Sequence, residues 1–159
     1  MKRIKKPEIN LGLWIDQEKA YIIRTGEANG PRIEKIKSGV ESRVRFAGEG
    51  KISARFGNTF VNNQEKKQRR QKNQRHHYFQ DILTRIQDAG YIFLFGPSDA
   101  RHELVNEIEK VSSFKGNIVC NESADRMTEK QMMKETLDFF ESESFRSYKR
   151  NKKKEKRLH

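Results

Sequence analysis

Gly90-Tyr91-Ile92-Phe93-Leu94-Phe95-Gly96 holds five consecutive apolar residues closed by glycine on both sides. A half-buried strand alternates; a strand covered on both faces does not, and its residues form a continuous apolar run. The run is too short for a buried helix, and Gly96-Pro97-Ser98 ends it. The prediction is an interior strand, flanked by strands near 11–16 and 117–120. Upstream, Leu11-Gly-Leu-Trp-Ile-Asp16 and Lys19-Ala-Tyr-Ile-Ile-Arg24 surround the polar break Asp16-Gln17-Glu18, which reads as a hairpin. Arg32 to Lys37 gives a third strand. Its apolar residues Ile33 and Ile36 are three apart, which admits a bulge or a short strand.

Residues 39–64 form a connection punctuated by Gly39, Gly48, Gly50 and Gly57. Residues 65–89 read as one helix: strong helix formers fill its first half, and Tyr78, Ile82, Ile86 and Ala89 mark a packed stripe in its second. Gly90 is its predicted stop. Downstream, Ser98 caps a helix over 99–113 that buries Leu104, Ile108 and Val111. Asn117 to Cys120 is a fifth strand. Thr128 and Gln131 form a capping box that opens a helix through Met132, Met133, Leu137 and Phe140. The order β-β-β-α-β-α-β-α predicts an α/β fold with a ribonuclease-H-like mixed five-stranded sheet and right-handed crossovers.

A chain of 159 residues with 33% hydrophobic and 35% charged residues supports one domain with a modest core. We assign 1–9 as a basic extension, 10–145 as the domain and 146–159 as a basic disordered tail. The net charge of +12 is unevenly spread. Residues 1–6 carry four cations, 65–77 carry +5 and 146–159 carry +7, leaving −4 for the rest. Positive charge on projections from a mildly acidic body fits attraction to a polyanion. RNA fits better than a membrane, because no run carries the interleaved apolar face of an interfacial helix. The candidate RNA-binding residues are Lys66, Lys67, Arg69, Arg70, Lys72 and Arg75, which surround the helix, and Lys149, Arg150, Lys152, Lys153 and Lys154 in the tail. Read plainly, such runs are only solubilising faces.

Other side chains carry plainer readings. The single Cys120 excludes an intramolecular disulfide and is expected to be a buried, inert thiol in a reducing compartment. His76, His77, His102 and His159 lack metal-ligand spacing, and no metal or other cofactor is expected. Asp16 and Asp99 stand near the ends of the first and fourth strands, where two-metal nucleases gather carboxylates. No acidic partner is placed on the cationic start of the long helix. Asp16 is therefore read as shaping the hairpin turn, and Asp99 as favouring a helix N-terminus. The Met127, Met132 and Met133 cluster reads as core. No apolar run approaches 18 residues and no signal-peptide core follows the basic start, so a soluble, cytoplasmic protein is expected.

Four motifs carry a resemblance: Trp14-Ile15-Asp16, Arg75-His76-His77-Tyr78, Gly96-Pro97-Ser98-Asp99-Ala100-Arg101 and Ala124-Asp125-Arg126-Met127-Thr128. Over roughly residues 10–141 the chain resembles a bacterial relative of the central domain of archaeal and eukaryotic peptide-release factors and Pelota. In that family a Gly-Gly-Gln loop runs into an Arg-rich helix, and the glycines let the loop enter the peptidyl-transferase centre. Here the tip reads Asn62-Asn63-Gln64, so the two glycines are missing and hydrolysis is not carried over to Gln64. The resemblance implies ribosomal RNA or tRNA as partner and ribosome association in translation quality control, rescue or dormancy, without catalysis. Two readings from other classes stay open: a peptidyl-tRNA hydrolase acting through Gln64, and a protein-interaction module with solubilising basic arms.

Overall fold

The computed structural model describes residues 8–40 and 57–158. The sheet contains β1 (Ile9–Ile15), β2 (Lys19–Thr25), β3 (Arg32–Lys37), β4 (Ala89–Gly96) and β5 (Asn117–Ser123). The helices are α1 (Gly57–Arg85), α2 (Ser98–Glu109), α3 (Glu129–Glu141) and α4 (Glu143–Leu158). The five strands form one open mixed sheet in the order β3-β2-β1-β4-β5. β1 is antiparallel to β2 and parallel to β4, and β4 is parallel to β5. The run Tyr91 to Phe95 therefore lies inside the sheet between the two expected neighbours.

Strand periodicity builds two cores from one sheet, because successive side chains leave on opposite faces. Leu11, Leu13, Ile15, Ile22, Ile92 and Leu94 face α1 and α2, where Ile82, Ile86 and Leu104 cover them. Trp14, Tyr21, Ile23, Phe93 and Phe95 face α3 and pack on Met132 and Phe139. Gly12 belongs to the second face. A Cβ there would overlap the side chain of Thr136, so the glycine admits α3 close to β1. The buried Thr136 hydroxyl is satisfied by donating to Met132 O at 2.8 Å.

Several boundaries differ from the expectation. β3 has no bulge: it pairs residue for residue with β2, placing Ile33 opposite Ile23 and Ile36 opposite Ala20. The two isoleucines are three apart because they serve opposite faces, Ile36 in the first core and Ile33 against the second. α1 begins at Gly57, not at 65, so residues 57–64 of the expected connection are helical; residues 41–56 lie outside the described residues. α1 ends at Arg85 in a turn over 86–88, and Gly90 is already in β4. The arrest comes from Arg24 rather than glycine: its guanidinium donates to Arg85 O at 2.5 Å and to both Asp88 carboxylate oxygens at 3.2 Å. α2 is shorter than expected, with Pro97 at the cap position and Ser98 as its first residue. β5 runs three residues further, to Ser123. The Thr128–Gln131 capping box forms as expected.

The largest correction concerns 146–159. The segment read as a disordered tail is helical from Glu143 to Leu158. Phe145 supplies the reason: it is buried against Tyr91, Phe139 and Phe140, and this anchor offsets the self-repulsion of the lysine run.

Candidate nucleic-acid interface

Three of the sequence motifs meet at one end of the sheet, beyond the C-terminal ends of β1, β4 and β5. Trp14 Nε1 donates to Asp125 O at 3.4 Å, and Ala124 N donates to Gly96 O at 3.0 Å. Arg101 is buried and donates from Nε to Gly96 O at 2.7 Å and from its terminal nitrogen to Asn121 Oδ1. Gly96 has a φ of 133° and its missing Cβ leaves room for Ile15 O, so no other residue fits this junction. Sequence reasoning placed Arg101 in a motif but gave it no role, because a lone arginine after a turn gives no sign that two backbone segments will close over it. Asp16, Pro97, Asp99 and Arg126 line a shallow cleft here. Asp16 shapes the hairpin as expected: Oδ1 accepts from Glu18 N and Lys19 N, both at 2.8 Å. Asp99 lies in the first turn of α2, also as expected. Among the described residues, no group of three or more His, Cys, Asp or Glu is gathered to hold a metal.

α1 is rooted at this end. The buried Tyr78 hydroxyl donates to Asp16 O at 3.1 Å, and burial, then the Asp16 carboxylate, push its pKa far up, so it remains a donor. One turn earlier, Arg75 Nε lies 3.6 Å from Glu103 on α2, and Gln17 Nε2 donates to the same carboxylate at 3.2 Å. From Tyr78 onward the helix buries Phe79, Ile82, Leu83 and Ile86. Before it, from Asn62 to His77, no described side chain is buried. Twelve residues at helical rise place Lys66 about 18 Å beyond Tyr78.

Lys66, Arg69, Arg70, Lys72 and Arg75 are exposed and Lys67 is half-buried. At about 100° per residue the six surround the helix as expected. Lys66, Arg69 and Arg70 share one outward arc of about 120° with Asn73, His76 and His77, opposite the arc through Tyr78 and Ile82. Asn62-Asn63-Gln64 is not a loop tip; all three residues lie within α1. Their backbone is helical, and no described non-glycine residue has a positive φ. The backbone of Gln64 is therefore committed to the helix and is not presented as an open loop.

α4 lies at the other end of the sheet and on its other face. Tyr148 packs edge-on against Tyr91 at 6.1 Å. Lys149 Nζ sits 5.5 Å from the Tyr91 ring, 5.4 Å from the Phe145 ring and 3.9 Å from Glu8. Lys152 Nζ lies 5.6 Å from the Tyr148 ring and donates to Asn117 Oδ1 at 3.3 Å. Tyr91 pairs with Asn10 of β1 and with Asn117 of β5, so α4 spans the N-terminal ends of the parallel strands. Lys149 and Lys152, two of the expected RNA-binding residues, are thus engaged with the domain. Arg150, Lys153 and Lys154 point outward with Arg146 and Arg157, all exposed. These five fall within about 100° of helix surface. Arg146 and Arg157 were absent from the expected set because a disordered tail has no faces. Arg150 also pairs with Glu143, and its hydrogen bond, then its charge, hold that exposed carboxyl below its usual range.

Cys120 is half-buried rather than fully buried, and burial pushes its thiol up. It packs against the second core, with Met127 and Met133 half-buried and Met132 buried, as a core role requires. No helix among the described residues is long and apolar enough to cross a membrane. Comparison with protein-family models gives no match, and comparison with curated proteins gives none at a significant level.

Proposed function

We propose that the protein is a non-catalytic, RNA-associated factor of the translation apparatus that binds ribosomal RNA or tRNA. The observation that carries the reading is α1: a helix rooted in the core by Tyr78 holds exposed cations well beyond the sheet. Charge held rigidly away from a globular body reaches phosphates inside an RNA crevice at little ordering cost. The strand order and the meeting of three motifs at one sheet end support a ribonuclease-H-like domain of the release-factor central-domain type. The helical setting of Asn62-Asn63-Gln64 favours binding over hydrolysis through Gln64, since the chemistry attributed to such a tip uses exposed loop backbone.

Sedimentation of the tagged protein from growing and starved cells tests this reading. Co-migration with ribosomes, subunits or tRNA supports it; recovery only in the free fraction under both conditions overturns it. In vitro, RNA affinity should fall steeply with salt. Changing Lys66, Lys67, Arg69 and Arg70 to Gln should flatten that dependence by up to about four units of slope. Release of labelled peptide from ribosomes by the wild type, lost in Gln64→Ala, would move the protein to the hydrolase class.

A further inference from the structure

We propose that one chain carries two separate phosphate-binding surfaces and links two segments of RNA. The inference rests on the RNA reading above and adds to it the arrangement of the sites. The first surface is the outer arc of α1, with Lys66, Arg69 and Arg70. The second is the outer arc of α4, with Arg146, Arg150, Lys153, Lys154 and Arg157.

They cannot merge into one patch. α1 leaves the sheet past Asp16, at the C-terminal end of β1 and on the face of the first core. α4 crosses Tyr91 and Asn117, at the N-terminal ends of β4 and β5, and packs with Phe139 and Phe140 on the opposite face. Asp16 stands six residues from Asn10, the partner of Tyr91, which is about 20 Å along the strand. With the further rise of α1, the two arcs lie roughly 40 Å apart. The screening length at physiological salt is about 8 Å, so each surface attracts phosphates independently.

The α4 arc is built for a backbone rather than a membrane. Its cations run over twelve residues, or about 16 Å of helix. The opposite, aromatic side of the helix, Phe145 and Tyr148, is occupied by the domain and offers no apolar face to lipid. Glu143, one turn before Arg146, is the acid on this arc, and it is paired with Arg150.

The test uses the full chain and two non-complementary RNA oligonucleotides, one immobilised and one fluorescent. The wild type should capture the second RNA on the first. Two variants separate the surfaces: Lys66, Arg69 and Arg70 to Gln, and Arg146, Arg150, Lys153, Lys154 and Arg157 to Gln. Glutamine preserves helix propensity, and circular dichroism checks the fold of each variant. Each variant should still bind one RNA by fluorescence anisotropy yet lose co-capture by about tenfold or more. An equimolar mixture should not restore it. Wild-type binding to one RNA without co-capture overturns the linking inference and leaves the RNA reading intact. Complete loss of binding in either folded variant shows one site rather than two. Restored co-capture in the mixture assigns the linking to self-association. Failure of the wild type to bind any RNA overturns both proposals.

Discussion

α1 and α4 are both long, strongly basic helices, and they segregate charge in different ways. α1 separates its residues along the axis: polar and cationic from Asn62 to His77, with a buried apolar stripe from Tyr78 onward. α4 separates them around the axis: Phe145, Tyr148, Lys149 and Lys152 on one side, five cations on the other. A helix segregated end to end is held at one end and projects. A helix segregated face to face lies flat on what it covers. A lysine run does not by itself define a tail; one buried aromatic residue near its start can order it.

The contrast can be broken most severely at Phe145. Phe145→Ala should cost about 3–5 kcal/mol, the usual range for a buried phenylalanine. Amide exchange should show α4 losing protection while the rooted half of α1 keeps its own. Uniform loss over both helices would show that they are not independently held. Gly12→Ala should come next. Its Cβ would meet Thr136, and forced overpacking of this kind costs about 1–3 kcal/mol, read as a lowered denaturation midpoint with unchanged slope. Tyr78→Phe removes the donor to Asp16 O and should cost about 1 kcal/mol, with faster exchange confined to the middle of α1. A neutral result would place the root of α1 in packing alone.

Glu103→Gln loosens the partly exposed contact with Arg75 and should cost less than about 1 kcal/mol, while increasing motion of the residues before Tyr78. The smallest effect is electrostatic. Glu143 is held below its usual pKa by Arg150, so its contribution is present above the unfolded-state value and fades as pH falls through the folded one. Exchange at the start of α4 should therefore quicken on acidification, and Glu143→Gln should remove that dependence. An unchanged acid response in the variant would exclude the pair as its source.

The sheet was legible because burial on two faces leaves a distinctive record. The unbroken run Tyr91 to Phe95 marked the centre, and Asp16-Gln17-Glu18 marked the hairpin. The capping box at Thr128 was legible because its hydrogen bonds are local. Ile33 and Ile36 were misread as irregular spacing because their alternation is invisible until both faces are known to be covered. The start of α1 was hidden because Asn62-Asn63-Gln64 reads equally well as loop or helix. Of the candidate interface, the cations on α1 were legible from composition, and those on α4 only in part.

Composition and periodicity by themselves determined the interior strand, the hairpin, the capped third helix and the uneven charge, because each depends on neighbours a few residues away. Tertiary structure decided the rest. The 146–158 segment became a helix with one cationic face because Phe145 and Tyr148 found Tyr91, more than fifty residues earlier in the chain. The opposed placement of the two basic helices follows from which sheet face and which sheet end each helix covers. That choice belongs to long-range packing, and no local pattern encodes it.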